Sequence, residues 1–247
     1  MGWQVWQEAI PHDALDNSFR ASQIPRDMKF IKFVPRWRAS WWAAFFLPAS
    51  FLCAKPATAT EIYRGFTIDE SRIENLTDLQ AVRTAVKAQI DIVCAVGLPP
   101  EIMAFFQGVQ LDVAPAAALN GNPGLYDRLN KCVLISTGIV EMGHKPVLLH
   151  EFMYAFHDQR LGEGFWNRTI LSFYGQAMAI SVFPAHSHMM SDQMAFFACS
   201  ATTYLFGVTA QEPFKREKIK DNQPDFFAYL QKLFGPRAGS YAGSLAP

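Results

Sequence analysis

The residues best suited to chemistry lie in the stretch 146–162, PVLLHEFMYAFHDQRLG. At about 3.6 residues per turn, His150, Tyr154 and His157 fall on one stripe of a helix, because offsets of four and seven residues return to the same face. Glu151 follows His150 directly. An imidazole can bind a metal ion and a neighbouring carboxylate can take a proton from water. The stretch therefore predicts a helix with a polar site near its start.

The pair His150-Glu151 is the first half of the pattern HExxH. In that pattern two His side chains one turn apart bind zinc, and the Glu beside the first acts as general base. Here Tyr154 occupies the position of the second His. A neutral phenol is a poor ligand, since its pKa is about 10 and coordination requires loss of the proton. The pattern is therefore incomplete.

Other histidines could complete a metal site. His157 lies about 10.5 Å from His150 along the helix axis, too far for both rings to reach one ion without strain. It is predicted to be either a residue behind the ligands or a core histidine, bonded to Asp158 or to a backbone carbonyl. His186 and His188 form an H-x-H pair in a loop before a later helix. They are either solvated loop residues or, with His150, the ligands of a rebuilt zinc site.

Glu151 needs a partner in the absence of a metal ion. It lies beside Phe152 and Met153 on an inward helix face, where an unpaired carboxylate is unfavourable. We expect a hydrogen bond from Tyr154 or Tyr174, or a raised pKa.

The remaining elements are predicted from hydrophobic spacing and from Gly and Pro signals. Pro146 suits the first turn of the His150 helix, and Gly162 suits its C-terminal cap. Further helices are expected at 76–96, 101–106, 169–182, 212–220 and 224–234, and from a cap at Ser191 or Asp192 to Gly207. Strands are expected at 63–68, 109–113 and 131–136, with 115–127 as a loop.

These elements predict an α+β fold, mainly helical, with a small sheet of two to four strands and a cleft between the sheet and the His150 helix. Two strands followed by that helix is the order expected where an edge strand borders a metal-binding helix. No internal repeat or linker divides residues 60–247, which are predicted to form one domain.

The domain predicted at 60–247 has a slightly negative net charge. Residues 1–59 hold seven Lys or Arg and four Asp or Glu, whereas residues 60–247 hold fifteen and eighteen. A net charge of about −3 on the second part gives no reason to expect nucleic acid as a partner.

The basic excess at the front belongs to a predicted signal peptide at residues 28–59. A positive segment at 28–38 precedes an apolar run at 39–54, and Ala57-Thr58-Ala59 is a small-x-small cleavage site. The run of about 16 residues is shorter than the roughly 20 that a spanning helix needs, so no membrane span is expected after cleavage. Residues 1–27 show no periodic pattern and are interpreted as an upstream extension with Met28 as an alternative start. The protein is therefore expected to be periplasmic or secreted.

Three cysteines, Cys94, Cys132 and Cys199, follow the cleavage site, and none has a C-x-x-C spacing. This spacing argues against a structural zinc site. In an exported protein one pair could be oxidised, or all three could be buried small side chains.

Several stretches resemble secreted bacterial gluzincin-type zinc metallopeptidases, whose helices read HELLHAYHDQ and SNxxEFFAxxAxxYLxG. These stretches are LLHEFMYAFHDQRL, the Gly164–Asn167 loop, SDQMAFFACSATTYLFG and QPDFFAYLQKLFG, and the resemblance covers most of residues 89–235. It implies a zincin-like domain with His150 as first zinc ligand and Glu151 as general base. Tyr154 stands where the second His belongs and Ala195 where the third ligand, a Glu, belongs. Two of the three ligands are therefore replaced.

The sequence thus predicts an exported metallopeptidase-like protein that has lost catalysis and binds no cofactor. His150 and Glu151 would be remnants of a ligand and a base, beside a cleft that binds a peptide or a protein partner. The alternative is an active zinc-dependent hydrolase with an unusual metal site drawn from His150, Glu151, His186 and His188. A third interpretation is a purely structural exported helical protein.

Overall fold

Within residues 60–237, which the computed structural model of the chain describes, five short strands form one mixed sheet. Residues 1–27 and the predicted signal peptide at 28–59 lie outside the described residues. The strands are β1 (Thr60–Tyr63), β2 (Phe66–Asp69), β3 (Leu111–Ala114), β4 (Gly124–Asp127) and β5 (Cys132–Ser136). Their spatial order is β1-β2-β3-β5-β4.

Pairing along the sheet is antiparallel at both edges and parallel in the middle. β1 pairs with β2 and β4 with β5 in antiparallel register, whereas β2–β3 and β3–β5 are parallel. The parallel β2–β3 pair requires a crossover, and two helices supply it. They are α1 (Leu79–Ala95) and α2 (Pro100–Gly108).

The other helices follow the sheet in the chain. They are α3 (Val147–Arg160), α4 (Arg168–Ile180), α5 (Gln193–Phe206), α6 (Arg216–Asn222) and α7 (Pro224–Phe234). The prediction of an α+β fold that is mostly helical, with a small sheet beside the His150 helix, is confirmed. In the part of the chain described here, no helix is both long and apolar enough to cross a membrane.

Two buried helices, α3 and α5, form the centre of the domain. All seven residues from Val147 to Met153 are buried, as are all twelve from Ala195 to Phe206. Burial on every side of these stretches places both helices in the core. Phe152 of α3 lies between aromatic rings from β2 and α2: it stacks on Phe106 at 4.7 Å and contacts Phe66 at 5.7 Å. The sheet and α2 therefore hold one side of α3, and α5 holds another.

Four local predictions differ from the structure. The predicted strand 63–68 spans the turn Arg64-Gly65 between β1 and β2. The predicted loop 115–127 contains β4. The sheet therefore has five strands rather than at most four. Gly162 is not the cap of α3, which ends at Arg160 with extended Leu161 after it. The last difference is at 212–220, where α6 begins only at Arg216; residues 207–215 form a loop closed by a bridge between Val208 and Lys215.

Candidate metal centre

The start of α3 is fixed by a buried amide from α1. Gln89 donates through Nε2 to the carbonyl oxygens of Gly143 and Lys145, at 3.2 and 2.8 Å, and its Oε1 accepts from the Leu148 amide at 3.1 Å. The first amides of a helix have no partner within it, so this side chain acts as a cap. It holds the first turn of α3, and with it His150 and Glu151, at a defined position against α1.

Strand β4 lies against the same turn of α3. A Cβ built on Gly124 would lie 2.8 Å from Glu151 Cγ and 3.0 Å from Val147 Cγ1, so only glycine allows this approach. At the far end of β4, the Tyr126 hydroxyl donates to Asp158 Oδ2 at 2.7 Å, and Lys131 pairs with the same carboxylate. The sheet edge is thus attached directly to α3. The cleft expected between the sheet and α3 is closed by this contact.

Replacing Gly124 with alanine should therefore separate β4 from α3. The new methyl group would overlap Glu151, and we expect the free energy of unfolding to fall by about 1–3 kcal/mol, the usual effect of overpacking. Chemical denaturation measures this change. Gly175→Ala on α4 is the matched control, because nothing lies within 4 Å of its added Cβ. A Gly124→Ala protein as stable as the unchanged chain would contradict the contact.

Helix α5 begins at a side-chain cap close to the site. Asp192 accepts hydrogen bonds from the amides of Met194 and Ala195, at 2.8 and 2.7 Å. This is the arrangement of a helix N-cap, and the prediction of a cap at Ser191 or Asp192 holds for Asp192. Ala195 is buried, and Cys199 follows it by one turn on the same helix face.

Three side chains of types that can bind a metal ion converge between α3 and α5. One ligand atom from each of His150, His188 and Cys199 lies within 4.8 Å of the other two. His150 comes from α3, Cys199 from α5, and His188 from the short 3-10 turn His188–Met190 that precedes α5. Among the described residues, this is the group of His, Cys, Asp and Glu side chains placed to share one ion.

Tyr154 lies beside this group. Its ring meets that of His150 edge-on, with centroids 5.1 Å apart and an interplanar angle of 88°. Its hydroxyl is 3.3 Å from Nε2 of His188. The residue in the position of the second His therefore contacts both histidines of the cluster.

Burial sets the protonation states of the donors. It lowers the pKa of His150 to about 3, aided by the nearby His188, and it lowers the pKa of His188 as well. Both rings are therefore neutral at pH 7, the form that binds a metal ion. Nδ1 of His150 is buried without a hydrogen-bond partner. Burial also raises the pKa of the Cys199 thiol, which an ion would have to offset to bind the thiolate.

Glu151 is buried beside the donors. Burial raises its pKa to about 8, and a hydrogen bond from the Tyr126 backbone amide opposes this effect. The raised pKa agrees with the expectation for Glu151. The expected hydrogen bond from Tyr154 or Tyr174 is replaced by the one from the Tyr126 amide of β4, and the Tyr174 hydroxyl donates to the carbonyl of Met190 at 3.0 Å.

A cavity of about 30 Å³ adjoins these groups. This volume exceeds the roughly 10–15 Å³ that one water molecule needs, so it has room for a small ion with a water molecule. The cavity lies between α3 and α5. Its lining comprises residues 145–147, His150, Glu151, His188, Cys199, Thr202, Thr203 and residues 209–211.

The other residues singled out from sequence lie outside the donor cluster. His186 is exposed and does not belong to the group with His150 and His188, so the structure gathers two of the three predicted alternative ligands. Ala195 lies on the helix that carries Cys199. His157 is fully buried between Phe165 and Phe197, with both ring nitrogens unpartnered, which agrees with a core histidine. Cys94, Cys132 and Cys199 are all free thiols.

Sequence reasoning missed Cys199 as a donor. A spacing of four residues from Ala195 places Cys199 on the face where the third ligand was expected, and this signal was available. Gln89 and Gly124 gave no comparable signal, because their roles arise from contacts with segments distant in the chain.

The chain was compared with protein-family models, with curated proteins and with solved structures, and none of the three comparisons gives a match.

Proposed function

We propose that this protein is a zinc-dependent hydrolase whose metal site is built from His150, His188 and Cys199, with Glu151 as general base. The observation that carries the proposal is the convergence of these three donors within 4.8 Å beside a buried carboxylate. In this proposal the chain is a zincin-type domain in which His188 and Cys199 replace the ligands missing at Tyr154 and Ala195.

The donor set fits zinc. Catalytic zinc sites usually have three protein ligands and one open position, and combinations of His with Cys are among them. Ligands of one tetrahedral zinc ion lie about 3.3–3.8 Å apart, as bond lengths of about 2.0–2.3 Å require. The three donor atoms lie within 4.8 Å of one another, so they would need to approach by at most about 1.5 Å. Thiolate and imidazole favour zinc over magnesium or calcium, which prefer oxygen ligands.

The chain's own residues supply the rest of the chemistry. A bound zinc ion supplies Lewis acidity, which polarises a carbonyl oxygen. The deprotonated form of Glu151, which a nearby cation would favour, takes a proton from the attacking water molecule and later delivers it to the leaving group. The Tyr126 amide orients that carboxylate. The resemblance of 89–235 to metallopeptidases favours peptides as the substrate class.

Metal analysis of the purified protein tests the proposal. We expect about one zinc ion per chain, and we expect His150→Ala and Cys199→Ser each to weaken zinc binding by about 100-fold, since each removes one of three ligands. Cys132→Ser is the matched control, because it removes a buried thiol outside the cluster.

A second candidate function follows if zinc is absent and cannot be loaded. Tyr154 and Ala195, which stand where the resemblance implies two zinc ligands, favour this case. The protein would then be an inactive peptidase relative that binds a peptide or protein partner. Unchanged zinc binding in both His150→Ala and Cys199→Ser would place the ion elsewhere and overturn the proposed site.

A further inference from the structure

We infer that Tyr154 positions the His188 ring for metal binding and that Gln211 positions the Cys199 thiol. This inference rests on the proposed function. It concerns two side chains that touch donor atoms and are not themselves ligands.

The first contact is made by the Tyr154 hydroxyl. It lies 3.3 Å from His188 Nε2, and the Tyr154 ring is held against the His150 ring on the same helix. The two nitrogens of an imidazole are distinct, and a partner at one of them fixes the tautomer and the ring direction. Tyr154 thus determines which nitrogen His188 presents to an ion. His188 lies on a short 3-10 turn rather than on a long helix.

The second contact is made by Gln211. Its Nε2 donates to Sγ of Cys199 at 3.6 Å, within the range for sulfur acceptors. A hydrogen bond from a neutral donor stabilises the charged form of its acceptor, and here that form is the thiolate. Gln211 and Cys199 both line the cavity.

The segment that carries Gln211 is attached to α5 itself. The Thr209 hydroxyl donates to the Gln211 carbonyl at 3.0 Å and lies 2.8 Å from the Thr203 hydroxyl, one turn after Cys199. Gln211 is therefore held at a fixed distance from Cys199 by the helix that carries the thiol. This arrangement is expected of a residue that orients a ligand, since such partners usually change metal affinity by about 10–100-fold.

Cobalt(II) in place of zinc gives a readout that a purely structural role would not change. Its visible d–d bands report the geometry of the ligands, and its sulfur-to-cobalt charge-transfer band reports the thiolate. For Tyr154→Phe we expect about 10–100-fold weaker cobalt and zinc binding with altered d–d bands and an unchanged charge-transfer energy. For Gln211→Leu we expect a displaced charge-transfer band and a similar loss of affinity.

Two variants of the same chemistry serve as controls. Tyr63 lies on β1, at the sheet edge opposite β4, and Tyr63→Phe removes a hydroxyl that donates to Asp91 of α1. Gln107→Leu removes an amide that donates to the Arg64 carbonyl. Both should bind cobalt as the unchanged chain does. Circular dichroism of each metal-free variant checks that it is folded, and Gln211→Leu tests the inference even if Tyr154→Phe fails to fold.

The outcomes separate the two proposals. If the unchanged chain binds no cobalt, the proposed function fails. If it binds one equivalent with a charge-transfer band, and both Tyr154→Phe and Gln211→Leu retain its affinity and spectrum, the metal site stands and the positioning roles are refuted.

Discussion

Glutamine at position 151 should abolish hydrolysis while leaving zinc bound. We expect kcat/KM on a quenched fluorescent peptide library to fall by about 10²–10⁴-fold in Glu151→Gln, because an amide cannot accept the proton of the attacking water. Zinc content should stay unchanged, since Glu151 is not one of the three clustered donors. Burial keeps the Glu151 carboxyl mostly protonated in the metal-free protein, with a pKa of about 8, so the neutral amide of glutamine suits its surroundings.

Glu141→Gln is the matched control for this variant. Glu141 is exposed in the 3-10 turn Thr137–Met142 that precedes α3, and its replacement should leave kcat/KM unchanged. Full activity in Glu151→Gln would show that another group takes the proton.

The second large effect concerns acid stability and the core histidine His157. Burial lowers the pKa of this ring to about 4 from an ordinary value of 6.5. The unfolded chain therefore binds more protons than the folded chain between these values, and stability falls as pH falls. Above pH 6.5 the ring is neutral in both states and costs the folded state no stability. As the pH falls from 6.5 to about 4, the free energy of unfolding decreases, and below about pH 4 it decreases no further on account of His157. The difference between the two pKa values corresponds to about 3 kcal/mol.

Leucine at position 157 should remove this loss. It also removes two buried nitrogens that have no hydrogen-bond partner, between Phe165 and Phe197. Urea denaturation between pH 7 and pH 4 should show that His157→Leu loses about 3 kcal/mol less free energy of unfolding than the unchanged chain. His144→Gln, at an exposed position, controls for the loss of a histidine. Equal losses in His157→Leu and the unchanged chain would mean that water or another group solvates the ring.

Local sequence patterns were sufficient to predict most of the helices. The predicted helix 224–234 coincides with α7, because Pro224 begins it and its apolar positions recur at helical spacing. The His150 helix was predicted from the same kind of signal, and α3 departs from the prediction only at its ends. In both cases the determinants lie within the segment itself.

Elements that depend on distant partners were not predictable in this way. β4 has four residues and begins with a glycine, and it is a strand because it pairs with β5 and packs on α3. Its sequence alone resembles a turn. The same limit applies to the donors: His150 was evident from its motif, whereas His188 and Cys199 join it only through the packing of α5 against α3.

The amide of Gln89 shows how far from the cavity the site can be disturbed. Gln89 does not line the cavity, yet its three hydrogen bonds secure the turn on which His150 and Glu151 begin. A substitution at this position of α1 would leave every donor and the base chemically intact but move two of them together. Loss of function caused by such a change would therefore be a defect of alignment, and a screen that considers only residues near the donors would overlook it.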